Sequence, residues 1–141
     1  MYEDYSRQAL PSKRYRELLG AAVCVFNSNN QFVIENILRN DDDSNYNWYE
    51  LIDATSGELS KPIKETITKK TDTKIANSFS ELVSRRNRII HSFQITDENN
   101  DQILCTKDKN HNQYIITEEF LLAFIKDNES LSTMLHEFRG Y

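Results

Sequence analysis

The chain has 141 residues and a formal net charge of -5 at pH 7. A chain of this length should form one domain over residues 1–141, large enough to bury roughly two-thirds of its unfolded surface. The acidic balance argues against a general nucleic-acid coat, because such proteins bind phosphates through many Lys and Arg side chains.

The first predicted helix begins after Pro11, with Ser12 as its N-cap and an apolar stripe that starts at Tyr15. Two ends are possible for this helix. It stops at the polar residues 27–30, or it continues to Leu38, since the helical period is preserved across the polar residues.

The next region is predicted to form a loop and two short helices. The loop covers Asn40 to Asn45, and the aromatic residues after it form a short helix that ends near Gly57. Ser60 is the expected cap of the following helix, with Pro62 in its first turn, where a backbone N–H is not needed.

The segment from Thr73 to Phe93 repeats apolar residues at helical spacing, which predicts a helix with one buried face. Arg86 falls in the middle of that face. A buried arginine must be paired or functional, because an uncompensated buried charge costs several kcal/mol. A second, polar stripe runs beside the apolar one and consists of Ser80, Ser84, Asn87 and His91.

Beyond this helix, the chain is predicted to form a loop, a small hairpin and a last helix. The loop covers residues 97–101, and two β-prone runs near residues 102–117 form the hairpin. Thr117 is the expected cap of the last helix, and Gly140 ends it. The predicted fold class is therefore mainly α, a bundle of four to five helices with a small β-hairpin elaboration.

Cysteine and histidine usage gives no sign of a metal site. Cys24 and Cys105 are far apart and lack metal-ligand spacing, so we expect a reduced, cytoplasmic protein without metal or cofactor. His111, in a polar turn, and His136, on a helix face, have no companion at ligand or catalytic spacing and are expected to be ordinary surface residues. We also expect neither a membrane span nor a signal peptide, because suitable apolar runs are missing.

Arg86, Asn87 and His91 resemble the signature of the HEPN family, which is Arg, four to six residues, then His, often with Asn directly after the Arg. The resemblance covers these residues and, loosely, the helical pattern around them. It implies a small helical bundle that dimerises through the helix carrying the motif. It also implies a metal-independent ribonuclease of a toxin–antitoxin, phage-defence or CRISPR system, which an antitoxin or another regulatory protein holds in check.

RNA cleavage needs residues of these three types. The ribose 2′-hydroxyl loses a proton as it attacks the neighbouring phosphate, the 5′-hydroxyl leaving group gains one, and His91 can do either near neutral pH. Arg86 would stabilise the charge that builds on the phosphate, and Asn87 would orient the phosphate or hold His91 in one tautomer. The products would be 2′,3′-cyclic phosphate and 5′-hydroxyl ends. DNA should be inert, because it lacks the attacking hydroxyl.

The positions of the motif residues on the helix favour a homodimer. Arg86 and His91 are five residues apart, about 140° around the helix axis, so they converge within one helix only if the arginine bends toward the histidine. A second copy of the helix would complete the site. The expected partners are therefore RNA and a second copy of the chain.

Basic residues are concentrated in the region that carries the motif. Between Gly57 and His91, eight Lys and Arg residues outnumber four Asp and Glu residues. A basic strip on an acidic body would admit RNA at one place and repel it elsewhere. Arg85, Arg88 and Lys74 are the side chains expected to bind the RNA backbone. The alternative is that these residues are ordinary solvated helix surfaces.

Two other interpretations of the motif stay open. In one, the chain is a non-catalytic HEPN-like module that binds nucleotides, RNA or another protein. In the other, the motif is structural: Arg86 pairs with Glu50 or Glu81, and His91 is favoured near a helix C-terminus by the helix dipole.

Overall fold

The computed structural model describes residues 1–140. Within them the chain forms a mainly helical bundle with a small antiparallel sheet, which confirms the predicted fold class. In chain order, the elements are α1 (Lys13–Arg39), α2 (Trp48–Asp53), α3 (Ser60–Ile63), α4 (Lys74–Ile90), β1 (Phe93–Thr96), β2 (Gln102–Lys107), β3 (Gln113–Ile115) and α5 (Glu118–Arg139). A 3₁₀ turn at Ser56–Leu59 precedes α3, and a π-helical turn at Lys64–Thr68 follows it.

Helix α1 is continuous, so the longer of its two predicted forms is correct. Ser12 caps it, because Ser12 Oγ accepts a hydrogen bond from the Tyr15 N–H at 3.1 Å. The polar residues in its middle do not end it. Asn29 is buried there, and its side-chain amide donates to the carbonyl oxygen (2.7 Å) and the side-chain oxygen (3.0 Å) of Asn128 on α5. These bonds satisfy the buried amide and join the two long helices.

The loop after α1 and the short helix α2 lie where they are predicted, but α2 ends at Asp53, four residues before Gly57. The Asp41 carboxylate closes the loop after α1 by accepting hydrogen bonds from two loop N–H groups at 2.7 and 3.0 Å. The predicted cap at Ser60 is wrong. The Thr55 N–H donates to Glu58 Oε1 at 2.9 Å, and the turn that opens there runs directly into α3. Ser60 therefore lies inside a helical run that has already begun.

Helix α4 ends three residues earlier than predicted. Ile90 is its last residue, and His91 is the C-cap, with its N–H donating to the Asn87 carbonyl at 2.9 Å. Ser92 Oγ then donates to the Ile89 carbonyl at 2.6 Å, which satisfies an acceptor at the helix end. Phe93 begins strand β1, so the prediction that Ile90 and Phe93 lie in the buried face is wrong: both side chains are exposed.

The sheet contains the predicted hairpin and one further strand. The strand order is β1-β2-β3, and both pairs are antiparallel. Phe93 and Ile115 both pair with Cys105 from opposite sides. Because partners across a ladder point to the same face, Phe93 and Ile115 share one side of the sheet. The β1 strand was missed because its apolar residues continued the helical period of α4.

The hydrophobic core lies among the long helices. Phe26 of α1 stacks between Phe79 of α4 and Phe124 of α5, with ring centroids 6.0 and 6.2 Å apart. Tyr15 joins the sheet region to this core: its hydroxyl donates to the Ile116 carbonyl at 2.6 Å and accepts the Leu104 N–H at 3.3 Å. No helix in the described part of the chain has both the length and the apolar character to cross a membrane.

Candidate functional site

The polar side of α4 forms one wall of an open cleft of about 500 Å³. The opposite wall is the turn between β2 and β3. We call this the α4 cleft, and it is lined by Ser80, Val83, Ser84, Asn87, Arg88, Asp108, Lys109 and Asn110. Three of the four residues predicted to form the polar stripe of α4 thus face a common space, and the fourth, His91, caps the helix.

Arg86 is held beside the cleft, and no acidic side chain among residues 1–140 forms an ion pair with it. Its guanidinium lies 4.8 Å from the centre of the Phe26 ring, and its Nη2 donates to Asn87 Oδ1 at 3.0 Å. Its Nε is buried and has no hydrogen-bond partner within residues 1–140. Burial lowers the pKa of Arg86 below its ordinary value, because desolvation disfavours the charged form. Neither Glu50 nor Glu81 forms the ion pair that a structural role predicted; Glu81 contacts Arg85 instead.

Arg85, one of the three residues expected to bind RNA, is engaged within the protein. Its Nη2 lies 2.5 Å from an Asp127 carboxylate oxygen on α5 and 3.7 Å from a Glu81 oxygen on its own helix. Its guanidinium also lies 5.6 Å from the centre of the Phe124 ring. These contacts tie α4 to α5 and leave little of the guanidinium for a ligand.

The other two expected RNA-binding residues lie at opposite ends of α4. Arg88 lines the cleft, and its Nη1 donates to the Lys107 carbonyl, so it connects the helix to the end of β2. Lys74 begins the helix, 14 residues earlier, which places it about 21 Å along the axis from Arg88. Of the three, the structure therefore brings only Arg88 into the cleft.

The acidic residue in the cleft, Asp108, is a carboxylate held by the backbone of its own turn. The pKa of the Asp108 carboxyl is lowered chiefly by the hydrogen bond from the Asn112 N–H, and further by the bond from the Asn110 N–H and the nearby charge of Arg88. The carboxylate oxygens are thus directed at the backbone of their own turn. Asp108 is therefore a structural anion beside the Arg88 cation.

His91 stands apart from the other two motif side chains. Arg86 and Asn87 are joined by a hydrogen bond, whereas in residues 1–140 no hydrogen bond joins either side chain to the His91 ring. His91 is exposed at the end of α4. One copy of the chain therefore assembles two of the three predicted catalytic residues and presents the third at the surface.

Exposed apolar side chains lie on both sides of His91 along the chain, and another shares a sheet face with one of them. Ile90 is 54% exposed, Phe93 43% and Ile115 41%. We call these three residues the apolar patch. Sequence reasoning missed it because two of its members fit the apolar period of α4. Lys109 and Asn110 were missed because nothing local indicates that the hairpin turn folds onto the helix.

The cleft offers hydroxyls, amides and guanidinium groups, which suit a phosphate-bearing ligand. In the part of the chain that the structure describes, no three His, Cys, Asp or Glu side chains stand together as metal ligands do. Comparisons of the chain with protein-family models, with curated protein sequences and with solved structures gave no match.

Proposed function

We propose that this chain is a HEPN-type, metal-independent endoribonuclease that cuts RNA by attack of the 2′-hydroxyl. The observation that supports this most is the state of Arg86. A cation held half-buried on Phe26 and fixed by Asn87, with no carboxylate partner among residues 1–140, is suited to an anion that arrives from outside. An RNA phosphate meets that requirement, and a guanidinium binds it through paired hydrogen bonds.

The reaction assigns one task to each motif residue. The bond from O2′ to phosphorus forms while the bond from phosphorus to O5′ breaks, so one proton leaves O2′ and one reaches O5′. His91 transfers a proton at one of these oxygens. Arg86 stabilises the charge on the non-bridging phosphate oxygens. Asn87 holds Arg86 through Oδ1 and can turn its NH₂ group toward the phosphate.

A second copy of the chain is part of the proposal. The apolar patch beside His91 gives a second copy an apolar surface to cover, and the two His91 side chains would then approach the same interface. One histidine can accept the proton from O2′ while the other donates to O5′, as the reaction requires. We therefore propose a homodimer formed through the C-terminal end of α4 and the adjoining sheet.

The biological setting follows from the resemblance alone. We propose a cytoplasmic toxin or phage-defence effector that acts on cellular or phage RNA, requires no cofactor and is held in check by an antitoxin or another regulatory protein. The motif residues Arg86, Asn87 and His91 carry this assignment.

The decisive experiment uses purified wild-type and His91→Ala protein with total cellular RNA in EDTA. Wild-type protein should cut RNA and leave 2′,3′-cyclic phosphate and 5′-hydroxyl ends. The His91→Ala protein, with unchanged melting temperature, should leave the RNA intact and so exclude a contaminating nuclease. Equal cleavage by both proteins, or 3′-hydroxyl ends, would contradict the proposal.

A second candidate is a non-catalytic HEPN-like module that binds RNA, nucleotides or another protein. The observation that favours it is the separation of His91 from the bonded pair of Arg86 and Asn87. This module would bind RNA without cutting it, and His91→Ala would leave that binding unchanged. A folded dimer that binds but never cleaves would therefore favour the second candidate.

A further inference from the structure

The two hairpin turns of the sheet have the same backbone architecture. In the first turn, Asp97 Oδ1 accepts the N–H groups of residues 99 and 101, both at 2.9 Å. In the second, Asp108 Oδ1 accepts the N–H groups of residues 110 and 112 at 2.9 and 3.0 Å. The fourth residue of each turn has a positive φ, 64° at Asn100 and 66° at His111. Each is a three-residue loop that closes with a left-handed residue.

The side chains on this shared backbone differ in charge. The second position carries Glu98 in the first turn and Lys109 in the second, and the fourth carries Asn100 and His111. Asparagine and histidine are both among the non-glycine residues that accept a left-handed backbone most readily, so both suit the fourth position of the turn. Since the first turn forms with Glu and Asn, the backbone requires neither Lys109 nor His111. The backbone of the turn therefore leaves these two side chains available for another role.

The two turns lie at opposite ends of β2. Six residues of an antiparallel strand separate them, a distance of about 20 Å. The first turn lies beside Glu118 and Glu119 and lines an acidic cleft with them. The second turn forms the wall of the α4 cleft, where Lys109 faces the helix that carries the motif. The turn that carries lysine at its second position is therefore the one that adjoins the proposed catalytic site.

We infer that the β2–β3 turn, residues 108–112, is an RNA-contacting wall of the α4 cleft, with Lys109 and His111 binding the substrate strand. This inference rests on the proposed ribonuclease function and extends it to residues outside the motif. Lys109 supplies a phosphate contact. His111, at the tip of the turn, offers a ring that can stack on a base and a donor for a backbone oxygen.

Two features allow this turn to serve as a wall. The Arg88 guanidinium donates to the Lys107 carbonyl, which anchors the start of the turn to α4. The Asp108 carboxylate is occupied by N–H groups of the turn, so it holds the backbone in shape and lies next to Arg88. The turn thus holds the Lys109 cation on a fixed backbone, between the cationic side chains of Arg88 and Lys107.

The test is equilibrium binding of a single-stranded 2′-O-methyl RNA oligonucleotide, which lacks the attacking hydroxyl and stays intact. Lys109→Glu places in the second turn the residue that the first turn already carries, so the backbone should form normally. We expect Kd to rise about tenfold and the slope of log Kd against log salt to fall by about 0.7, the loss of one phosphate contact on a single strand. His111→Asn, which copies Asn100, should weaken binding about threefold without lowering the melting temperature.

Glu98→Lys is the matched control. It changes the charge by the same amount with the opposite sign, at the corresponding position of the turn remote from the cleft. We expect its Kd to stay within about twofold of wild type. If Glu98→Lys tightens binding as much as Lys109→Glu weakens it, overall charge explains both changes and the inference is overturned.

Separate readouts distinguish failure of this inference from failure of the proposed function. Wild-type protein that cuts RNA, with Lys109→Glu protein binding the oligonucleotide equally well, overturns the inference and leaves the ribonuclease in place. Wild-type protein that neither binds the oligonucleotide nor cuts natural RNA overturns both. Weaker binding by Lys109→Glu, with an unchanged control, supports the turn as part of the RNA site.

Discussion

Asn87 Oδ1 accepts a hydrogen bond from Arg86 Nη2 at 3.0 Å, so the second residue of the motif holds the first. The remaining contact of the guanidinium is with the Phe26 ring. An amide fixes the arginine without cancelling its charge. A carboxylate in the same place would fix the arginine more strongly and neutralise it, because an ion pair adds to the hydrogen bond.

Asn87→Asp separates the effect of fixing the Arg86 side chain from the effect of neutralising its charge. We expect the new carboxylate to pair with Arg86, to hold the melting temperature at or above the wild-type value, and to reduce RNA cleavage by 10²-fold or more, roughly the effect of losing one transition-state donor. The measurements are initial rates of cleavage and thermal melts. Asn77→Asp makes the same change on the same helix, where Asn77 is exposed near the start, and should leave the rate unchanged. Equal rates for Asn87→Asp and wild type would show that the charge of Arg86 is not used.

The two neighbouring arginines should have different roles: Arg85 should stabilise the fold, and Arg86 should be needed for RNA cleavage. Arg85→Met removes the contacts with Asp127 and Glu81 and the Phe124 ring, which should lower the free energy of unfolding by about 1 kcal/mol and leave cleavage intact. Arg86→Met removes a cation that has no acidic partner among residues 1–140, so the free energy of unfolding should change by less than about 1 kcal/mol while cleavage is lost.

Urea denaturation and cleavage rates, measured on the Arg85→Met and Arg86→Met proteins, test this division of roles. A large loss of stability in Arg86→Met, with cleavage kept, would favour the structural interpretation of the motif. A loss of cleavage in Arg85→Met at full stability would instead place Arg85 in the RNA site.

Tyr15→Phe should weaken the attachment of the sheet to the helices. The hydroxyl bonds to the Ile116 carbonyl and the Leu104 N–H are lost, and leaving both groups without a partner should lower the free energy of unfolding by about 1–2 kcal/mol. Tyr15 does not line the α4 cleft, so the substitution should affect the cleft only by loosening the sheet that carries its second wall. Urea denaturation at neutral pH gives the difference directly.

The same substitution carries a pH dependence with a defined sign. Burial raises the pKa of the Tyr15 hydroxyl above its ordinary value of 10.0. The folded state thus holds this proton more tightly than the unfolded state, so the contribution of Tyr15 is complete below about pH 10 and is lost as pH rises through the folded pKa. The stability difference between wild type and Tyr15→Phe should be constant below pH 10 and narrow above it. A difference that widens there would contradict the assignment.

The parts of the fold that could be predicted are those set by local chemistry. Ser12 and Thr117 cap α1 and α5 through bonds to N–H groups three residues ahead, and such caps can be identified in a sequence. Gly140 ends α5 with a φ of 80° that favours glycine. The polar stripe of α4 was likewise predictable, because helical spacing alone places Ser80, Ser84 and Asn87 on one side.

The parts that could not be predicted depend on contacts between distant segments. Ile90 and Phe93 fit the apolar period of α4, but the pairing of Phe93 with Cys105 places Phe93 in the sheet. The second wall of the cleft depends on the bond from Arg88 to the Lys107 carbonyl, which joins residues 19 apart. Periodicity identifies apolar positions without identifying what covers them.

The apolar patch gives the last prediction, which concerns the homodimer. Phe93→Glu places a charge in the apolar patch, two residues from His91, and burying that charge against a second copy would be costly. We expect wild-type protein to sediment as a dimer and Phe93→Glu as a folded monomer that has lost RNA cleavage. Analytical ultracentrifugation and the cleavage assay, run on the same samples, measure both properties.

Leu122→Glu is the control for this change. Leu122 is an apolar side chain on α5 that is exposed to a similar extent, 45%, and lies outside the patch. Its substitution should leave both the dimer and the cleavage rate unchanged. If Phe93→Glu is monomeric and still cuts RNA at the wild-type rate, one copy of the chain holds a complete site, and His91 must then reach the phosphate bound by Arg86 on its own helix. If both variants remain dimers, the second copy binds at a surface other than the apolar patch.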